Sequence, residues 1–196
     1  MNHNLVDRIQ QDLTDGLSPL RLTHVLGVAD TARQLALQHG QDADQAYLAG
    51  LLHDIAREWD YERLKAASAH LTLPFDREDR QNKELLHAFV GADIAARHYG
   101  VTDEPVLQAI RSHTLARAAM TPLELIILIS DKIEPNRHYP GVDDLRQLAT
   151  QSLLQAALAC LNQSLTITIK RGIAIHLWTV EARNDLLTQI KKQGGP

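Results

Sequence analysis

Apolar positions recur at three- and four-residue intervals along nearly the whole chain, while strict apolar–polar alternation is scarce; this pattern predicts an all-α protein. Ser18 followed by Pro19 reads as an N-cap and first helical position. The helix they open carries His24, Val28, Ala32 and Leu35 and stops at Gly40. Asp42 caps the next helix, which contains "LAGLLHDIAREW" from Leu48 to Trp59. A short helix from Asp60 to Ser68 leads into a polar connection with Pro74 and dense charge from Asp76 to Lys83, expected to form a mobile flap. Further helices are predicted from Lys83 to His98, ended by Gly100, and from Asp103 and Pro105 to His113. "TPLE" at Thr121 to Glu124 is a capping box opening the apolar run "LELIILISDKI", which breaks at Pro135. "EPNRHYPG" supplies a loop. Helices over 143–150, 152–165 and 178–191 follow, with "LTITIK" too short and isolated to make a sheet and "QGGP" as a frayed tail. No repeat or low-complexity tract interrupts this order, and residues 1–196 are expected to form one compact domain.

Polar residues break the apolar stripes at a few places. In "LAGLLHDIAREW", His53 and Asp54 stand where the pattern requires core, and a buried carboxylate beside a buried imidazole costs several kcal/mol unless something compensates it. His24 in "RLTHVLGVA", His87 in "LLHAFVGA", His113 in "AIRSHT" and Asp131 in "ILISDKIEP" interrupt in the same way. Any one of these histidines alone is more often a core residue donating to a backbone carbonyl. Together they make four imidazoles and two carboxylates from five helices, a set able to converge on one point. Nitrogen and carboxylate ligands without thiolates suit iron, manganese, cobalt or zinc, and a carboxylate can bridge two ions. Successive helical residues point about 100° apart, so His53 and Asp54 can share a centre only from a helix end or a tight crossing.

Composition narrows the classes of function. A chain of 196 residues buries about 70% of its unfolded surface, enough for a substantial core. The balance of 20 basic against 24 acidic residues gives no large single-sign field, which argues against nucleic acid or an acidic membrane as partner. No window approaches the roughly 18 apolar residues of a membrane span, and the start, "MNHNLVDRIQQDL", has scattered charges and no apolar stretch. A soluble, cytoplasmic protein is expected. The lone Cys160 sits in "LLQAALACLNQSL" as a small core hydrophobe, and no disulfide framework is possible. His3, His39, His70, His98, His138 and His176 fall at termini, helix ends or loops and read as surface residues, His176 being the one nearest a candidate pocket.

The order His, His-Asp, His, His, Asp resembles the HD-domain metal-dependent phosphohydrolases in their two-metal form. More closely, "RLTHVLGVADTARQLA", "AGLLHDIAR", "LLHAFVGADIAA", "AIRSHT" and "SDKIEPNRHYPGVDDLR" are similar to the bacterial YqeK family of symmetrical bis(5'-nucleosyl)-tetraphosphatases, from about Leu5 to Leu187. The resemblance implies an HD-domain helical bundle. It implies one metal on His24, His53, Asp54 and Asp131, with Asp54 bridging to a second on His87 and His113. The metal implied is iron, with manganese, cobalt or zinc as substitutes. The reaction implied is cleavage of diadenosine tetraphosphate at the middle of its phosphate chain to two ADP, by a protein for which a homodimer is one compatible state.

Such a centre needs cations to balance charge on the phosphates and the leaving group. Arg21, Arg57 and Arg137 are the candidates, and Arg21 shares a helix face with His24 three positions on. Asp54, Arg57 and Arg137 are the expected catalytic residues. Substrate contacts are expected from these, from Arg21, His87, His113 and Asp131, and from the Thr114 hydroxyl. The segment "IAIHLWT" is expected to border the nucleotide through Ile175, His176 and Thr179, with Trp178 available to stack on a base. Two features depart from the family pattern. Arg57 stands where lysine is typical, replacing a point charge with a planar fork. Leu115 and Ala116 stand where a Ser or Thr and then Gly are usual, and Ala116 is expected to narrow the approach of backbone to phosphate. The rival readings are an HD-type phosphohydrolase of another nucleotide or a cyclic dinucleotide, and a nucleotide-binding regulator without catalysis.

Overall fold

The computed structural model describes residues 3–74 and 82–194. Ten helices lie in it: α1 (His3–Gly16), α2 (Pro19–Gln38), α3 (Ala43–Leu52), α4 (Tyr61–Ser68), α5 (Lys83–Arg97), α6 (Glu104–Ser112), α7 (Pro122–Ile133), α8 (Val142–Gln151), α9 (Leu153–Lys170) and α10 (Leu177–Lys192). No strand occurs among the described residues, as the helical periodicity predicted. The connection expected to be a flap falls largely on residues 75–81, and these, with the last two residues of the expected tail, lie outside the described residues.

Local chemistry sets the boundaries. Ser18 accepts from the Arg21 amide at the start of α2, Asp42 from those of Asp44 and Gln45 at α3, and Asp103 from that of Val106 at α6. Thr121 and Glu124 form the predicted capping box of α7. The structure adds α1, whose Val6, Ile9 and Leu13 are buried. It also carries "LTITIK" as the end of α9, which runs five residues past the predicted Leu165 to Lys170. Among the described residues no helix is long and apolar enough to cross a membrane.

α7 is the axis of the core. All its residues from Leu123 to Asp131 are buried, and it packs against α2, α3, α6, α8 and α9. α2 and α3 lie closest together. A methyl carbon on Gly50 would stand 2.6 Å from the Ala29 backbone, so glycine is needed for this approach, and the approach brings His53 alongside His24. A second, smaller cluster around Leu64, Leu86 and Val90 joins α4 and α5.

Candidate active site

The six out-of-pattern residues converge. α3 ends at Leu52, so His53 and Asp54 leave the helix at its last turn, the geometry that lets neighbours in sequence face one centre. His24 comes from α2, His87 from α5, His113 from the cap of α6 and Asp131 from the last turn of α7. All six are buried.

Asp54 lies between two groups of nitrogens. Its Oδ2 is 3.8 Å from His24 Nε2 and 3.5 Å from His53 Nε2. Its Oδ1 is 3.2 Å from His87 Nε2 and 3.6 Å from His113 Nε2. Asp131 Oδ1 joins the first group, 3.1 Å from His24 Nε2. His24, His53 and Asp131 offer ligand atoms close enough together for one ion, and so do His53, Asp54 and His113.

Hydrogen bonds on the far sides of the rings set their tautomers. His53 Nδ1 donates to the Gly50 carbonyl at 2.7 Å, and His113 Nδ1 donates to the Ile110 carbonyl at 2.7 Å. Each bond leaves the lone pair of the neutral ring on Nε2, facing the centre. His24 Nδ1 lies 3.1 Å from Glu134 Oε1, a carboxylate behind an imidazole of the kind that orients metal-ligating histidines. His53 Nε2 and His87 Nδ1 are buried with no hydrogen-bond partner. An orphaned Nε2 at the meeting point of two carboxylates fits a divalent cation and has no other evident use.

The electrostatics agree. Burial pushes the Asp54 carboxyl up, but the surrounding imidazoles of His53, His113 and His87 outweigh it, holding the group well below the usual carboxylate range. Burial likewise raises Asp131, while Lys132 and His24 pull it well below that range. His113 is lowered, mainly by burial, which favours the neutral ring a ligand needs. For His53 burial is the largest influence and acts downward, but the Asp54 and Asp131 carboxylates and the Gly50 carbonyl together outweigh it and raise the ring, so the centre attracts positive charge.

Cations crowd one side. Arg21 Nη1 donates to Asp54 Oδ2 at 2.7 Å. Arg137 donates through Nη2 to Asp131 Oδ1 at 2.9 Å and through Nε to the Asp131 carbonyl at 2.9 Å. Arg57 pairs with Glu84 through Nη2, and its Nη1 is buried without a partner. These arginines, with Thr114 and Lys132, line a polar cavity of about 200 Å³ over Asp54 and Asp131. Thr114 Oγ1 lies 3.1 Å from His113 Nε2.

A cavity of about 340 Å³ adjoins it, sharing Glu84, Thr114 and Lys132, and is lined by Ile175, His176 and Thr179. Thr179 Oγ1 donates to the Leu115 carbonyl at 2.8 Å, so its hydroxyl fixes the wall of the cavity. Trp178 is not brought here: it lines a separate cavity with Leu71 and Phe89. The Ala116 departure has a conformational meaning. Its φ is 61° and its methyl is buried, so the position is left-handed, which explains glycine as the usual residue by backbone freedom rather than by room for phosphate.

Sequence reasoning missed four residues that hold these groups in place. Glu134 stands in the quoted "IEPNR" but read as a loop residue. Its signal was Gly27, a glycine inside a helix three positions after His24, where a methyl carbon would stand 2.8 Å from Glu134 Oε2. Lys132 donates to Asp131 Oδ2 at 2.8 Å. Glu84 anchors Arg57. Arg146 donates to the carbonyls of Ile133, Glu134 and Arg137, each at 2.9 Å, and staples the loop that carries Arg137.

The HD domain family matches residues 21–136, a span that holds the whole cluster. The symmetrical bis(5'-nucleosyl)-tetraphosphatase of Bacillus subtilis is 40% identical over 164 residues, covering 84% of this chain and 86% of that one. The protein of the same name from Halalkalibacterium halodurans is 37% identical over 180 residues, covering 89% and 93%. A crystal structure of a predicted HD superfamily hydrolase involved in NAD metabolism from Clostridium acetobutylicum superposes with a TM-score of 0.90 at 38% identity, covering 94% of this chain and 97% of that one. The chain therefore belongs to the HD-domain metal-dependent phosphohydrolases and, within them, to the family of symmetrical bis(5'-nucleosyl)-tetraphosphatases.

Proposed function

We propose that the protein hydrolyses diadenosine tetraphosphate symmetrically to two ADP at a dinuclear metal centre, with iron as its metal. The observation that supports this most is the division of Asp54, whose two oxygens face different sets of imidazoles. His24, His53, Asp131 and Asp54 Oδ2 would hold one ion, and His87, His113 and Asp54 Oδ1 the other. Ions bound there supply water acidified to a pKa of about 7 and polarised phosphoryl oxygens. The imidazole-rich set without thiolates suits iron, manganese, cobalt or zinc, and the family resemblance favours iron among them.

The chain's own residues bind and orient. Arg57 Nη1, buried and unpartnered, is a ready donor for a phosphate oxygen. Arg21, Arg137 and Lys132 now satisfy Asp54 and Asp131. Once those carboxylates serve as ligands, the same donors can turn to substrate phosphates. Thr114 adds a hydroxyl. In the reaction the oxygen of water joins one of the two central phosphorus atoms and the bond to the bridging oxygen breaks. That oxygen departs on the second ADP, and the water protons pass to it and to solvent. The cavity lined by Ile175, His176 and Thr179 would take one adenosine.

The test is chromatography of the products from dinucleoside polyphosphates, nucleoside monophosphates and cyclic dinucleotides, run with iron, manganese and zinc. Two ADP from each diadenosine tetraphosphate are expected. Intact diadenosine tetraphosphate alongside cleavage of one of the other esters would reject the assignment.

A further inference from the structure

A symmetrically cleaved dinucleotide sends two nucleoside arms away from the scissile bond, and the cavity at Ile175, His176 and Thr179 accounts for one. A second cavity, of about 600 Å³, opens from the same centre in another direction and shares Lys132 and Arg137 with it. Both side cavities fall within the range of small-ligand sites, about 300–1,000 Å³.

The last turns of α9 form the partition between them. Leu161, Leu165 and Thr168 line the first cavity, while Gln163, Thr166, Ile167 and Lys170 line the second. These sets follow helical spacing on two faces of one helix, and Ser164 borders both cavities. This is the "LTITIK" stretch, whose isoleucines have no core role: Ile167 is 44% exposed at the end of a helix whose buried residues stop at Leu161.

The second cavity combines the surfaces a nucleotide needs. Ile167 and the Tyr139 ring offer apolar area for a base. Gln163 offers an amide, and Arg137, Lys132 and Lys170 form a row of cations leading from the centre. The wall is preorganised: Tyr139 OH donates to the Lys132 carbonyl at 2.8 Å, and Arg146 ties down the Arg137 carbonyl at 2.9 Å. We propose that this groove between α9 and the 137–140 loop is the subsite for the second nucleoside diphosphate arm of the substrate, with the end of α9 separating the two bases. The inference rests on the proposed hydrolysis of dinucleoside tetraphosphates.

The test uses metal-loaded full-length protein and two substrates, diadenosine tetraphosphate and adenosine 5'-tetraphosphate, which has one nucleoside and needs one subsite. Ile167→Asp and, to a lesser degree, Ile167→Ala, at an exposed position, should raise KM for diadenosine tetraphosphate, by about tenfold for the aspartate, and leave KM for adenosine 5'-tetraphosphate unchanged. Metal content and melting temperature matching wild type would establish that both variants are folded. Unchanged KM for both substrates would overturn the subsite, leaving the second nucleoside in solvent or on another chain. An equal rise for both would also overturn it, because the groove would then serve the phosphates common to the two. A wild-type protein that cleaves neither substrate would instead reject the functional reading on which the subsite depends.

Discussion

The two sides of Asp54 are built differently. On the Oδ2 side both imidazoles are held from behind, His24 by Glu134 and His53 by the Gly50 carbonyl. On the Oδ1 side His113 has the Ile110 carbonyl, but His87 Nδ1 is buried without a partner. The turn that follows His113 is strained, with Ala116 and Ala119 at φ 61° and 55°. Groups supported from behind hold their geometry before a metal arrives, so the Oδ2 position should bind its ion more tightly and the Oδ1 position should exchange more readily.

The largest effect is expected where the two sides meet. Asp54→Ala should remove turnover by at least about 10³-fold and release metal from both sides, read by steady-state kinetics and metal analysis. Unchanged metal content would break the comparison at its root, because Asp54 would then bridge nothing.

Next comes the support beneath His113. Glu124 is buried, accepts from Ser112 Oγ and takes a two-pronged contact from Arg117. Burial raises its carboxyl, but Arg117, the Thr121 amide and Ser112 lower it further, so its pKa lies below the unfolded value. A depressed folded pKa contributes stability that is present above the unfolded value of about 4.3 and is lost as pH falls through the folded one. Glu124→Gln should therefore cost about 3 kcal/mol at pH 7 and flatten the acid limb of the stability curve. Urea melts from pH 7 down to pH 3 would show an unaltered acid limb if Glu124 is not the titrating support.

A smaller effect sharpens the Oδ2 side. Glu134→Ala should weaken the tighter ion by about 10–100-fold without removing any ligand. Chelator titration should then show the two ions leaving closer together than in wild type; the same two-step release as wild type would deny Glu134 its orienting role. The smallest effect is at Ala116. Replacing it with glycine should relieve the left-handed strain and raise stability by about 0.5–1 kcal/mol, read as a higher midpoint of denaturation. A lower midpoint would mean that the buried methyl outweighs the strain.

Much of this arrangement was legible in the sequence because a buried polar cluster violates patterning: His24, His53, His87, His113, Asp54 and Asp131 stand out as polar groups on apolar faces. Helix starts were legible through their caps, at Ser18, Asp42, Asp103 and Thr121. The groups behind the six were not. Glu134 follows an apolar helix and precedes a proline, an ordinary setting for a loop carboxylate, and only the packing of α2 against that loop brings it to His24. The length of α9 was underread because β-branched residues in "LTITIK" lower helix propensity, which the preceding helix overrides. Trp178 read as a base-stacking residue from its place in the segment, but the direction of a side chain at a helix start depends on packing that one sequence does not encode locally.

Metal stoichiometry tests the account most directly. Anaerobic equilibrium dialysis of the metal-free protein against ferrous ion should reach two ions per chain in two steps, and His87→Ala should retain the first step and lose the second. Saturation at one ion per chain in the wild-type protein would contradict a dinuclear centre bridged by Asp54.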